Sequence, residues 1–177
     1  MAFYDREVEV LIDTPTLQGK IRELGARITE DYRGRDLTLV GIMKGSIFFL
    51  TDLARAVDLP LTVEMMGVSS YHGGTETTGE VRITHDVSKP MHGKHLLIVE
   101  DIVDTGLTME FLLENLHARH PASLRICTLL EKPARAKTVV PIDYKGFVID
   151  DRFVVGYGLD FDEKYRNLPF IGVMKAS

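Results

Sequence analysis

An apolar run, Leu96 to Val99, that ends without a spacer on two adjacent carboxylates constrains this chain more than any other feature. Consecutive apolar residues without polar alternation read as a strand covered on both faces, the pattern of a parallel sheet. Glu100 and Asp101 follow at once, and a third carboxylate, Asp104, opens a short loop holding Thr105, Gly106 and Thr108. Met109, Leu112, Leu113 and Leu116 then recur at helical spacing. Strand, acidic loop and helix start therefore arrive in that order.

The order has chemical consequences. The first turn of a helix offers unpaired N–H donors and positive partial charge, which suit a phosphate. Gly106 permits close backbone approach to an anion, and the two threonines add hydroxyl donors. Carboxylates do not bind phosphate; they suit sugar hydroxyls, Mg²⁺ or a proton taken from a substrate. A site handling a phosphate, a polyol and a metal together points to a phosphorylated sugar.

The remainder of the chain supplies a frame. Thr14 and Pro15 mark a helix start, with Leu17, Ile21, Leu24 and Ile28 as its apolar stripe. Asp36 to Ile42 reads as a buried strand, Met43 to Ser46 as a turn, Ile47 to Val57 as a second helix and Leu61 to Val68 as a strand. Ser69 to Gly79 is polar and glycine-bearing, a mobile excursion that Val81 to Thr84 closes as a long hairpin. Leu124 to Leu130 is a further strand. After Pro141, Gly146 to Ile149, Phe153 to Val155 and Phe170 to Val173 are short strands, which predict a small flap. Alternating strands and helices predict an α/β fold: a central, mostly parallel sheet flanked by helices on both faces. Ligands then bind beyond the carboxyl ends of the strands, where Lys44, Glu100 and Lys132 each follow a strand.

Composition narrows the classes. At 177 residues, 45% apolar and 27% charged, the chain is most simply one soluble domain. No apolar run approaches the roughly 18 residues that cross a membrane. The first residues show neither a basic region nor a signal-length apolar stretch, so a cytoplasmic protein is expected. Cys127 is the single cysteine, reads as core, and excludes an intramolecular disulfide. A net charge of −5 argues against general nucleic-acid binding. His92 with His95, and His117 with His120, lack an acid at zinc-site spacing and read as surface histidines.

The stretch His95 to Thr108 closely resembles the phosphoribosyl-diphosphate (PRPP) binding motif of type I phosphoribosyltransferases: apolar run, two acids, two apolar residues, Asp, a small residue, Gly, any residue, then Thr or Ser. Glu131-Lys-Pro-Ala-Arg135 and Asp151-Arg-Phe-Val-Val-Gly-Tyr-Gly-Leu-Asp160 resemble the branch acting on 6-oxopurines such as hypoxanthine. The resemblance implies a single domain, 1–177, with a core over about 14–144 and a small C-terminal hood over about 145–177 joined by the N-terminal residues. It implies that Glu100, Asp101, Ile102, Val103, Asp104, Thr105, Gly106, Leu107 and Thr108 hold PRPP, with Asp104 as the general base for the purine N7 proton. Lys44, Gly45 and Arg166 fall to pyrophosphate, with a cis Met43–Lys44 peptide. Lys132 falls to the 6-oxo group, Phe153 to stacking on the base, Val154 to its edge and Asp160 to the base or metal side. Mg²⁺ is the implied cofactor, near Glu100, Asp101 and Asp160. Ser70 and Tyr71 belong to the closing loop, and the assembly is a homodimer or homotetramer. The implied reaction is purine salvage: PRPP and hypoxanthine, or guanine, give IMP or GMP and pyrophosphate. An alternative is a PRPP-sensing, nucleic-acid-binding regulator that kept the fold; such a chain should show a basic face or an added DNA-binding domain.

Overall fold

The computed structural model describes residues 7–70 and 81–175. The chain runs β1 (Val8–Ile12), α1 (Thr14–Asp31), β2 (Leu37–Met43), α2 (Ile47–Ala56), β3 (Leu61–Ser70), β4 (Val81–His85), β5 (His95–Val103), α3 (Leu107–His117), β6 (Ser123–Glu131), a 3₁₀ turn (Pro133–Arg135), β7 (Tyr144–Val148), β8 (Val154–Val155) and β9 (Ile171–Met174). Six strands form one sheet in the order β4-β3-β2-β5-β6-β7, parallel except for β4, and three form a second, β1-β9-β8.

The pleat decides what covers each face. Leu37 and Leu39 of β2, Leu97 and Val99 of β5, and Cys127 and Leu129 of β6 pack with α1 and α2. Their neighbours Val40, Ile42, Leu96, Ile98 and Ile126 point the other way, against Met109, Leu112 and Leu116 of α3. Side chains on both faces are apolar, as parallel strands require. Helix α1 begins where Asp13 accepts a hydrogen bond from the Thr16 amide at 2.9 Å, with Pro15 in the first turn.

Three expectations are corrected. Strand β5 does not stop at Val99; it carries Glu100 and Asp101 inside the ladder and ends at Val103, because β6 pairs with it as far as Val103 opposite Glu131. Gly146 to Ile149 is not in the flap. Tyr144 to Val148 forms β7 at the edge of the main sheet, parallel to β6, and the buried Tyr144 donates to Asp31 of α1 at 2.6 Å. The small sheet instead combines β8 and β9 with β1, from the N-terminal residues expected to join the hood. The excursion is shorter than Ser69 to Gly79 suggests, since β3 runs to Ser70, opposite Val81. Tyr71 and the residues to Gly79 lie outside the described residues. No described helix is long and apolar enough to cross a membrane.

Helices α1 and α2 meet at Gly25, where a Cβ would lie 2.6 Å from the Ala56 carbonyl oxygen. The crossing tolerates only hydrogen there, because backbone on the far side has no free torsion with which to retreat. Gly25→Val should therefore destabilise the fold by about 1–3 kcal/mol through overpacking. Urea unfolding checks this; an unchanged midpoint would mean the two helices separate without cost.

Candidate active site

The carboxyl ends of β2, β5 and β6 lie side by side, and each hands the chain to a loop carrying a charged residue. After β5, Asp104 to Gly106 turns into α3. Gly106 has φ +84° and caps the helix in the left-handed region. A Cβ there would sit 2.7 Å from the Thr138 carbonyl oxygen. The Thr105 carbonyl accepts from the amides of Lys137 and Thr138 at 2.9 and 3.2 Å, and Val103 accepts from Lys132 at 2.9 Å. The loop is thus stitched to the segment that follows β6.

A cavity of about 130 Å³ opens along this loop, lined by residues 100–106, Thr108 and Met109. A second, of about 200 Å³, is lined by Glu131, Lys132, Pro133, Ala136 and 138–140. The two share Val103 and Asp104. Lys132 is only 6% exposed, and its side chain has no hydrogen bond or ion pair among the described residues. Asp104 faces Arg135: Nε lies 3.1 Å from Oδ1 but outside hydrogen-bond geometry, leaving that buried oxygen without a donor. Arg135 also reaches Asp151 at 3.8 Å.

Glu100 and Asp101 are the electrostatic centre. Burial raises the Glu100 carboxyl well above its ordinary range, and the adjacent Asp101 charge adds to the effect. Burial also raises Asp101, against lowering by Glu100, by the Ile102 amide, which donates to Oδ1 at 2.8 Å, and by the Arg166 charge. Glu100 Oε1 accepts from the Asp101 amide at 3.1 Å. Asp101 lies against the loop after β2, for a Cβ on Gly45 would stand 1.8 Å from Asp101 Oδ2. That loop contains a cis Met43–Lys44 peptide. On its other side Gly158, at φ +104°, abuts the Gly45 carbonyl, where a Cβ would come within 1.9 Å. The Gly45 backbone is held between Asp101 and Gly158.

Other expected residues fall farther out. Asp160 does not join the Glu100–Asp101 pair; its Oδ1 lies 3.0 Å from Arg166 Nη2 and its Oδ2 accepts from the Glu163 amide at 3.0 Å. Arg166 Nη1 donates to the Gly158 carbonyl at 2.7 Å, and its buried Nε has no partner. Phe153 is 56% exposed and meets Phe161 edge to face at 5.8 Å, while Val154 is buried. Ser70 ends β3, and Tyr71 lies outside the described residues. Among the described residues no three His, Cys, Asp or Glu side chains gather as a metal cluster. Sequence reasoning missed Arg135 and Glu163. Arg135 closes the Glu131–Arg135 stretch but meets Asp104 only through the fold, and Glu163 meets Lys44 across 119 residues, so neither contact leaves a local signal.

Residues 7–162 match the family model of the phosphoribosyl transferase domain. The chain is 50% identical over 167 residues to a hypoxanthine-guanine phosphoribosyltransferase of Staphylococcus epidermidis, covering 94% of this chain and 93% of that protein. A crystal structure of a hypoxanthine phosphoribosyltransferase from Staphylococcus aureus superposes with TM-score 0.91 at 49% identity, over 97% of this chain and 92% of the other. One of a hypoxanthine-guanine phosphoribosyltransferase from Bacillus anthracis gives 0.90 at 42% identity, over 94% and 99%. The alternative of a nucleic-acid-binding regulator finds no support in these relatives. By motif, fold and relatives alike, the chain belongs to the type I phosphoribosyltransferase family, in its hypoxanthine-guanine branch.

Proposed function

We propose that this chain is a purine-salvage enzyme that transfers the phosphoribosyl group of PRPP to hypoxanthine, and to guanine, giving IMP or GMP and pyrophosphate. The observation that carries this reading is the pair of cavities meeting at Asp104, one running to a helix N-terminus and the other to a buried, unpaired Lys132. A helix start takes the 5′-phosphate. A buried ammonium without a protein partner suits a ligand acceptor, and the 6-oxo group of a purine is one. Asp104, between the two, stands where the sugar and the base would join.

Each residue then has a task in the chemistry. Glu100 and Asp101 hold the ribose hydroxyls and orient the sugar. The amides around Gly45 and the Arg166 guanidinium take the pyrophosphate, whose charge grows as the C1′–O bond breaks. The purine nitrogen bonds C1′ as pyrophosphate departs, and Asp104 accepts the N7 proton. Phe153 stacks on the base and Val154 presents backbone to its edge. Ser70 and Tyr71 belong to the segment proposed to cover the site, excluding water that would hydrolyse PRPP.

The donor set also fits Mg²⁺. Burial and the neighbouring Asp101 raise the proton affinity of Glu100, and burial raises that of Asp101; a divalent cation relieves both, and two protein ligands are what Mg²⁺ commonly takes alongside substrate oxygens and water. Glu100 and Asp101 would hold the ion together with PRPP, and it would supply charge neutralisation for the leaving pyrophosphate.

Product formation from PRPP tests the reading. The protein should convert hypoxanthine and guanine but not adenine, whose 6-amino group meets Lys132 donor to donor. Lys132→Ala should weaken 6-oxopurine binding by about 1.5–3 kcal/mol, the worth of a hydrogen bond to a charged group. PRPP affinity should change far less; collapse of PRPP binding with purine discrimination intact would refute the assignment.

Asp104→Asn keeps the shape but cannot accept a proton. Turnover should fall about 10²–10⁴-fold, the usual contribution of a general base, with PRPP binding retained. Near-normal turnover would remove Asp104 from that role.

A further inference from the structure

We propose that Glu163 is a self-ligand of the pyrophosphate subsite: in the free protein its carboxylate occupies the cations that the pyrophosphate end of PRPP takes over, and it thereby sets the affinity for that end. The inference rests on the function proposed above. Glu163 lies on a tight turn, Phe161 to Lys164, closed by reciprocal backbone hydrogen bonds of 3.1 and 3.0 Å. Both central residues, Asp162 at φ +52° and Glu163 at φ +62°, adopt the left-handed region that glycine and asparagine favour. The Asp160 carboxylate braces this conformation by accepting from the Glu163 amide at 3.0 Å.

The turn carries the carboxylate to the Lys44 ammonium, on the loop assigned to pyrophosphate, and to the edge of the Arg166 guanidinium, whose nearer acid is Asp160 at 3.0 Å. Oε2 lies 2.9 Å from Lys44 Nζ, and both carboxylate oxygens lie 3.5 Å from Arg166 Nη2. Lys44 and Glu163 are 119 residues apart, so the contact is built by the fold and not by local sequence. Lys44 holds the Glu163 carboxyl below its ordinary range, keeping it an anion. The Lys44 and Glu163 side chains are 64% and 65% exposed, which makes the pair weak and exchangeable. A pyrophosphate, with more charge and more acceptor oxygens, outcompetes one carboxylate for a guanidinium and an ammonium. The displaced Glu163 then stands as a like charge beside the bound anion. Both effects hold pyrophosphate affinity down, which favours release of the product.

The test is calorimetric titration of inorganic pyrophosphate, with Mg²⁺, into the full chain and into Glu163→Gln. The amide keeps the turn and the shape and removes the charge. Kd should fall about 3–10-fold, the sum of two exposed ion pairs no longer to be broken, and the gain should shrink at high salt. Glu163→Asn, which suits the left-handed turn and is too short to reach Lys44, should show the same gain and guards against a folding artefact. The KM for PRPP should fall in parallel without a rise in kcat. Unchanged or weaker pyrophosphate binding in both variants, as a metal-ligating Glu163 would give, overturns this proposal and leaves the enzymatic reading standing. Failure of the unaltered chain to bind pyrophosphate overturns both.

Discussion

Burial of Glu100 beside Asp101 at the end of the central strand is the constraint on which the other features of the site depend. Strand β5 is flanked on both sides by parallel neighbours and covered by helices, so its end lies deep in the molecule. Carboxylates placed there lose water, and both resist ionisation. A fold built only for stability would put apolar residues at these positions. Gly45 is bare so that Asp101 can lie against its backbone, and Gly158 is bare so that a second segment can press on the same peptide from outside.

The site is therefore assembled by close backbone contacts among segments distant in the chain. The Thr105 carbonyl accepts two amides from the segment after β6, and Gly106 leaves room for Thr138. The small sheet is tied to the main body through Tyr157, whose hydroxyl donates to Asp52 of α2, an acid that also accepts from Gln18 of α1 at 2.8 Å. This bridge places Gly158 and Arg166 over the loop that begins at Lys44. Geometry in such a site is a property of the segments together, so changes in the small sheet should be felt at the loop after β2.

Much of this was legible in the sequence, and the reasons are physical. A strand buried on both faces has to be an uninterrupted apolar run, so Leu96 to Thr108 declared its strand, loop and helix start, and the acids, glycine and hydroxyls that line the cavity there. The placement of Lys132 was legible because it follows a strand whose end faces the same way. The rest depended on long-range partners that leave no local mark. Strand β1 gains its place by pairing with β9, and β7 joins the main sheet because Phe147 finds Leu130. Arg135 reaches Asp104, and Glu163 reaches Lys44, only after folding. Asp160, read as a neighbour of the acidic pair, turns instead to Arg166.

The acidic pair is proposed to serve the ligand at the expense of the fold, and unfolding of the ligand-free, metal-free protein across pH tests this directly. A carboxyl whose folded-state pKa is raised contributes stability that is full below its unfolded value, near 4.5 for Glu100, and is lost as pH rises through the folded value. Glu100→Gln removes that loss and can keep the bond from the Asp101 amide. Denaturant titrations should find the variant close to the unaltered protein near pH 4.5 and progressively more stable than it toward pH 8, while PRPP binding weakens. A variant less stable at pH 8, or a difference that does not change with pH, would contradict the account.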